Sequence, residues 1–110
     1  MSDAFVRTMA EATAPLPRPA SAKWPEGEPY ECLVNQPGAQ ILIFAPRGTD
    51  YQTEHNRDEV YVCVAGRATL EIEGKPQPFA AGDLAWVPKN VAHRFTDISG
   101  DFTTWVAFFG

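Results

Sequence analysis

Basic residues, cysteine, histidine and long apolar runs are all scarce in this chain, and each shortage excludes a class of protein. Nine Lys and Arg stand against fourteen Asp and Glu, a formal net charge of -5. An acidic chain repels phosphate backbones, so nucleic acid is not expected as a partner. The longest apolar stretch, Val60 to Ala65, is about a third of the roughly 20 residues that a membrane-spanning helix needs, so no membrane partner is expected either. Two cysteines, Cys32 and Cys63, make no disulfide framework. The N-terminus carries Asp3 and Glu11 and no continuous apolar region. No signal peptide is therefore read, and a cytoplasmic protein with reduced thiols is expected. There is no internal repeat and no glycine-rich phosphate loop.

What is present is a core's worth of apolar residues. Hydrophobic residues make up 45% of the 110, with seven Phe, three Tyr and three Trp. That fills one domain. Half of the ten prolines fall in the first thirty residues: Pro15, Pro17, Pro19, Pro25 and Pro29. Before them, Ser2 or Asp3 is expected to cap a short helix carrying Phe5, Val6, Met9 and Ala12 or Thr13 near one face. The proline run forbids helix and favours an extended arm. Residues 1–29 are thus read as an N-terminal helix and arm, and residues 30–110 as the folded domain. Leu16, Trp24 and Tyr30 on the arm need burial. The edge of a second copy is expected to provide it, making a homodimer.

From Tyr30 onward short strands alternate with turn residues. The strands expected are Tyr30 to Val34, Ala39 to Ala45 (buried on both faces), Glu59 to Ala65, Arg67 to Glu73, Leu84 to Val87, Val91 to Thr96 and Phe102 to Phe109. In Arg67 to Glu73, Ala68, Leu70 and Ile72 alternate with polar residues, the period of a strand with one wet face. Gly74-Lys75-Pro76 reads as a turn. Eight or so short strands at this spacing suggest a sandwich or barrel.

Only two histidines exist, His55 and His93, both in the strand-rich part. His55 and Glu59 flank Asn56-Arg57-Asp58, a polar triplet suited to a turn. With a strand ending at His55 and another starting at Glu59, the two side chains face each other, and His93 on a later strand comes alongside. Two imidazoles and one carboxylate are the facial triad, which leaves up to three octahedral positions open. Taken alone, His-x3-Glu is weak, since many surface loops contain it. Glu54, Arg57 and Asp58 are more simply read as solvated turn residues.

The spacing around these residues resembles the cupins. Their first motif ends in His, three or four residues, Glu, six residues, Gly; here His55, Glu59 and Gly66 match. Their second motif is matched by Gly82, Pro88, Asn90, His93 and Asp97, with Asn90 for glycine and Asp97 for asparagine. Asparagine tolerates the left-handed backbone that glycine would supply. The resemblance covers Gly48 to Phe108 and implies an all-β fold, a small antiparallel double-stranded β-helix (jelly-roll) barrel. It implies that His55, Glu59 and His93 bind one divalent transition metal ion: Fe, Mn, Zn, Ni or Co. The departure is at Thr53, which stands where the family's first histidine would be. Thr53→Ala should retain the ion, and Thr53→His should tighten binding. Gln52 is a weak alternative oxygen ligand, and by strand parity it should face away from His55. Three protein ligands and an open site are expected.

Strand parity puts Tyr61 and Phe95 beside the ligands, with Tyr51, Trp86 and Trp105 as further wall candidates. Tyr61 is singled out because a buried phenol needs a partner; Cys63 reads as a small core residue. Three functions follow. The first is a metalloenzyme, dioxygenase-like or else an isomerase or lyase, acting on a small organic molecule. The second is a non-catalytic cupin that binds a small ligand or sugar. The third is a degenerate, metal-free barrel.

Overall fold

The computed structural model describes residues 4–110. One helix, α1 (Met9–Thr13), precedes eight strands: β1 (Tyr30–Gln36), β2 (Ala39–Phe44), β3 (Asp58–Ala65), β4 (Arg67–Ile72), β5 (Lys75–Ala80), β6 (Leu84–Val87), β7 (His93–Thr96) and β8 (Thr103–Phe109). They form a five-stranded sheet, in the order β1-β2-β8-β3-β6, facing a three-stranded sheet, β5-β4-β7. Each pairing is antiparallel. The chain is therefore the small all-β jelly-roll barrel expected.

The core lies between the sheets and is strongly aromatic. On β3, Glu59, Tyr61 and Cys63 point inward while Val60 and Val62 are half-buried on the other side. On β7, His93 and Phe95 point inward and Arg94 is exposed. Phe79 and Phe95 stack at 5.8 Å, and Phe102 packs 4.9 Å from Phe95. Gly66 makes the β3–β4 turn possible: its φ is +69°, and a side chain there would come within 2.7 Å of the Phe102 nitrogen.

Several elements differ from expectation. The helix starts from Thr8, whose hydroxyl accepts from the Glu11 nitrogen at 3.1 Å while the Glu11 carboxylate accepts from the Thr8 nitrogen at 3.0 Å. This capping box sets the start; Phe5 and Val6 are exposed ahead of it. Ser2 and Asp3 lie outside the described residues. Lys75 begins a strand rather than lying in a turn. The turn is Glu73-Gly74, both with positive φ, and β5 tolerates Pro76 and Pro78 because it is an edge strand. In β2 only Ile43 and Phe44 are fully buried, whereas Ile41 is 37% exposed. No strand ends at His55: residues 45–57 are irregular.

The proline-rich arm folds back on its own barrel. Arg18 and Glu28 pair as an isolated antiparallel bridge, closing a loop that carries Trp24 into the core. The Trp24 ring meets Tyr51, Phe44 and Tyr30 edge-on at 5.5, 6.0 and 6.4 Å.

Candidate metal centre

Three elements from three parts of the chain meet at one end of the barrel. β3 supplies Glu59, whose neighbours in register are Phe108 on β8 and Val87 on β6. β7 supplies His93 from the facing sheet. The irregular segment between β2 and β3 supplies His55. One nitrogen or oxygen from each of the three lies within 4.8 Å of the others. The three residues singled out from the sequence are thus brought together.

The turn after β6 ties this assembly together. Asn90 has φ +65°, the left-handed backbone expected for a residue replacing glycine. Its N–H donates to the His55 carbonyl at 2.7 Å, and the neighbouring Lys89 N–H donates to the Asp58 carboxylate at 2.9 Å. Asp58 therefore anchors the end of β3 rather than being merely solvated. Arg57 lies 4.6 Å over the Phe108 ring, a cation–π contact. Glu54 is exposed.

Hydrogen bonding sets the direction of each donor. His93 Nδ1 lies 2.8 Å from the Val91 carbonyl. That oxygen only accepts, so Nδ1 carries a proton and Nε2 faces the cluster. Nε2 lies 2.7 Å from Glu59 Oε1, a separation that without a cation requires a shared proton. Burial opposes a charged His93. The Glu59 hydrogen bond, the Val91 carbonyl and the charges of Glu59 and Asp50 together outweigh it, and its pKa is raised. Burial lowers the pKa of His55, with His93, Lys23 and Arg57 adding to it against Glu59. Its imidazole is thus available as a free base. Glu59 Oε2 is buried with no hydrogen-bond partner among the described residues. Two imidazole nitrogens and one carboxylate, whose second oxygen is orphaned, fit a divalent transition metal ion.

Tyr61 closes the inner side. Its hydroxyl lies 3.0 Å from His93 Nε2 and donates to Gln52 Oε1 at 3.1 Å. Burial, with the charges of Glu59 and Asp50, pushes its pKa well up, so it stays a donor. Gln52 corrects the parity argument. Its side-chain oxygen is 3.5 Å from His55 Nε2, turned toward the site, because the segment is not a strand and alternation does not apply. Thr53 is exposed and its hydroxyl is 3.5 Å from Lys23 Nζ. Asp50 is buried; it accepts from the Phe95 and Gln52 nitrogens at 2.8 and 2.9 Å and from the Gln52 amide.

A cavity of about 240 Å³ opens on His55, Glu59 and Tyr61. Its walls are largely apolar, with Trp24, Tyr30, Phe44, Val106 and Phe108, and Lys23 lies at its edge. Of the expected wall residues only Tyr61 lines it. Phe95 packs behind Tyr61 at 5.0 Å. Tyr51 faces a larger cavity of about 410 Å³ between the arm and the barrel, which carries none of the three clustered residues. Trp86 is 51% exposed and Trp105 pairs with Val62 on the outer side of the sheet. The same parity rule applied to β8 identifies Val106 and Phe108; Trp24 gives no local signal. Cys63 is buried core.

Residues 40–108 match the family described as Cupin domain. The chain belongs to the cupins. It is 42% identical over 60 residues to an uncharacterised protein of Streptomyces coelicolor, an alignment covering 54% of this chain and 57% of that one. A Cupin 2 conserved barrel domain protein from Leptotrichia buccalis superposes with a TM-score of 0.66 at 19% identity. That match covers 74% of this chain and 40% of the other, and it speaks to the fold alone. An RmlC-like cupin family protein with a double-stranded β-helix fold, from Methanocaldococcus jannaschii, matches at TM-score 0.64 and 27% identity, over 73% and 77% of the two chains. The matched region thus spans little more than half of the Streptomyces relative and less than half of the Leptotrichia protein.

Proposed function

We propose that the chain binds one divalent transition metal ion (Fe, Mn, Zn, Ni or Co) through His55, Glu59 and His93, and that it is a metalloenzyme with dioxygenase-like chemistry on a small organic molecule. The observation that carries this is Glu59 Oε2, a buried carboxylate oxygen without a partner beside two imidazoles. Leaving it so costs several kcal/mol, on the order of 1–3 or more, and a cation removes the cost. A bound ion of this kind supplies Lewis acidity or dioxygen activation. The protein's own part is to hold the organic molecule against apolar walls and exclude water, with Tyr61 as a hydrogen-bond donor at the cavity floor. Metal analysis of untagged protein, then turnover of catechols, thiols and keto acids under oxygen, tests it.

A second reading is a cupin that binds a small ligand or sugar without turnover. It is favoured by the carboxylates nearest the cluster: Glu59 is committed as a ligand and Asp50 to three hydrogen bonds, so neither is free as a general base, and Glu28 is the further carboxylate on the cavity wall. Saturable binding with no turnover across the panel decides for it.

In this proposal the described part of the 1–29 arm completes the cavity of the 30–110 barrel, since Lys23 and Trp24 line it. A cytoplasmic homodimer is also proposed, with a different surface from the one first expected. Trp24 is occupied within its own barrel, whereas Leu84, Trp86 and Phe109 are exposed on the outer side of the five-stranded sheet beside Val60 and Val62. A second copy would cover this apolar face. Light scattering at micromolar concentration tests it, and a monomer contradicts it.

A further inference from the structure

We infer that the side-chain oxygen of Gln52 is a fourth donor to the ion, in the role that the family pattern assigns to the position of Thr53, and that Asp50 aims it. The inference rests on the metal-binding reading of His55, Glu59 and His93.

An amide can present either its oxygen or its nitrogen to a site, and here the choice is made by neighbours. The Gln52 Nε2 donates to Asp50 Oδ2, and a carboxylate accepts only. The amide nitrogen is therefore turned away and Oε1 is turned in. Asp50 is itself held by the Phe95 N–H at 2.8 Å and by the Gln52 N–H at 2.9 Å. Oε1 accepts the Tyr61 hydroxyl at 3.1 Å, which leaves its second lone pair toward His55.

The separation fits shared coordination. Donors about 2.0–2.2 Å from one ion stand about 3.0–3.5 Å apart in neighbouring positions; Gln52 Oε1 and His55 Nε2 are 3.5 Å apart. Thr53, in contrast, is exposed and contacts Lys23. The irregular backbone from Pro46 to Arg57 allows this one-residue displacement, since no strand imposes alternation. An amide oxygen is neutral, so the ion keeps the excess positive charge that Glu59 alone leaves on it.

Cobalt(II) binding to the untagged full chain tests this, by calorimetry and by the visible absorption that reports cobalt coordination. Gln52→Leu should weaken cobalt by roughly tenfold or more, a scale reached even by partners outside the ligand set, and should shift the visible bands. Thr53→Ala should retain parent affinity and bands. Asp50→Asn should move the bands toward those of Gln52→Leu while far-ultraviolet circular dichroism stays that of the parent. Parent-like affinity and bands in Gln52→Leu overturn the inference. A parent protein that takes up no cobalt overturns the three-residue site as well; a parent that takes it up while Gln52→Leu is indifferent removes only the fourth donor.

Discussion

The backbone N–H of Asn90 donates to the carbonyl of His55 at 2.7 Å, joining the turn before one histidine strand to the segment that carries the other histidine. Asn90 makes this bond from a left-handed backbone, φ +65°. Asn90→Gly should be nearly neutral. Asn90→Ala should cost about 1 kcal/mol, because a Cβ without a compensating polar group disfavours that conformation. It should also weaken metal binding by displacing His55. Thermal melts and metal titration of the two variants check this.

Thr53 separates a side chain near the site from one that belongs to it. Being exposed and turned to Lys23, it should be replaceable by Ala without loss of the ion. Thr53→His, expected from the family pattern to add a ligand, should on this geometry give no gain in affinity. Equilibrium metal titration of both variants measures the difference.

The outline of the barrel was legible because alternation is a local property. Arg67 to Ile72 and Asp58 to Ala65 both show inward and outward residues at period two, and the spacing of His55, Glu59 and Gly66 carried the candidate site. What the sequence does not reveal depends on distant partners. Gln52 faces inward because Asp50 is pinned by Phe95, forty-five residues on. Trp24 enters the core because Arg18 and Glu28 close a loop. Strand β5 was hidden by Pro76 and Pro78, which only an edge position permits.

Trp24 is buried against Tyr30, Phe44 and Tyr51, so Trp24→Ala should cost about 3–5 kcal/mol. A chain beginning at Glu28 should lose stability to a similar degree and lose one wall of the 240 Å³ cavity. If dimerisation uses the outer side of the five-stranded sheet, truncation should leave it intact. Urea unfolding and light scattering on the truncated chain read these separately.

Stability of the metal-free protein should depend on His93. Its pKa in the fold is raised above the ordinary 6.5, so folding favours the protonated form. The stabilisation is fully present below pH 6.5 and is lost as pH rises through the raised value. Metal affinity should move the opposite way, since the ion displaces that proton and gains as pH rises. Urea midpoints of the metal-free protein and of His93→Gln, on both sides of pH 6.5, should converge toward high pH.

Metal content is the most direct measurement. Untagged protein, prepared metal-free and offered Fe(II), Mn, Co, Ni and Zn in turn, should retain one ion per chain after desalting. His55→Ala, Glu59→Ala and His93→Ala should each lose it while remaining folded. A parent chain that retains none of the five ions, or a Glu59→Ala variant that retains them as well as the parent, would contradict a metal centre built on the orphaned carboxylate.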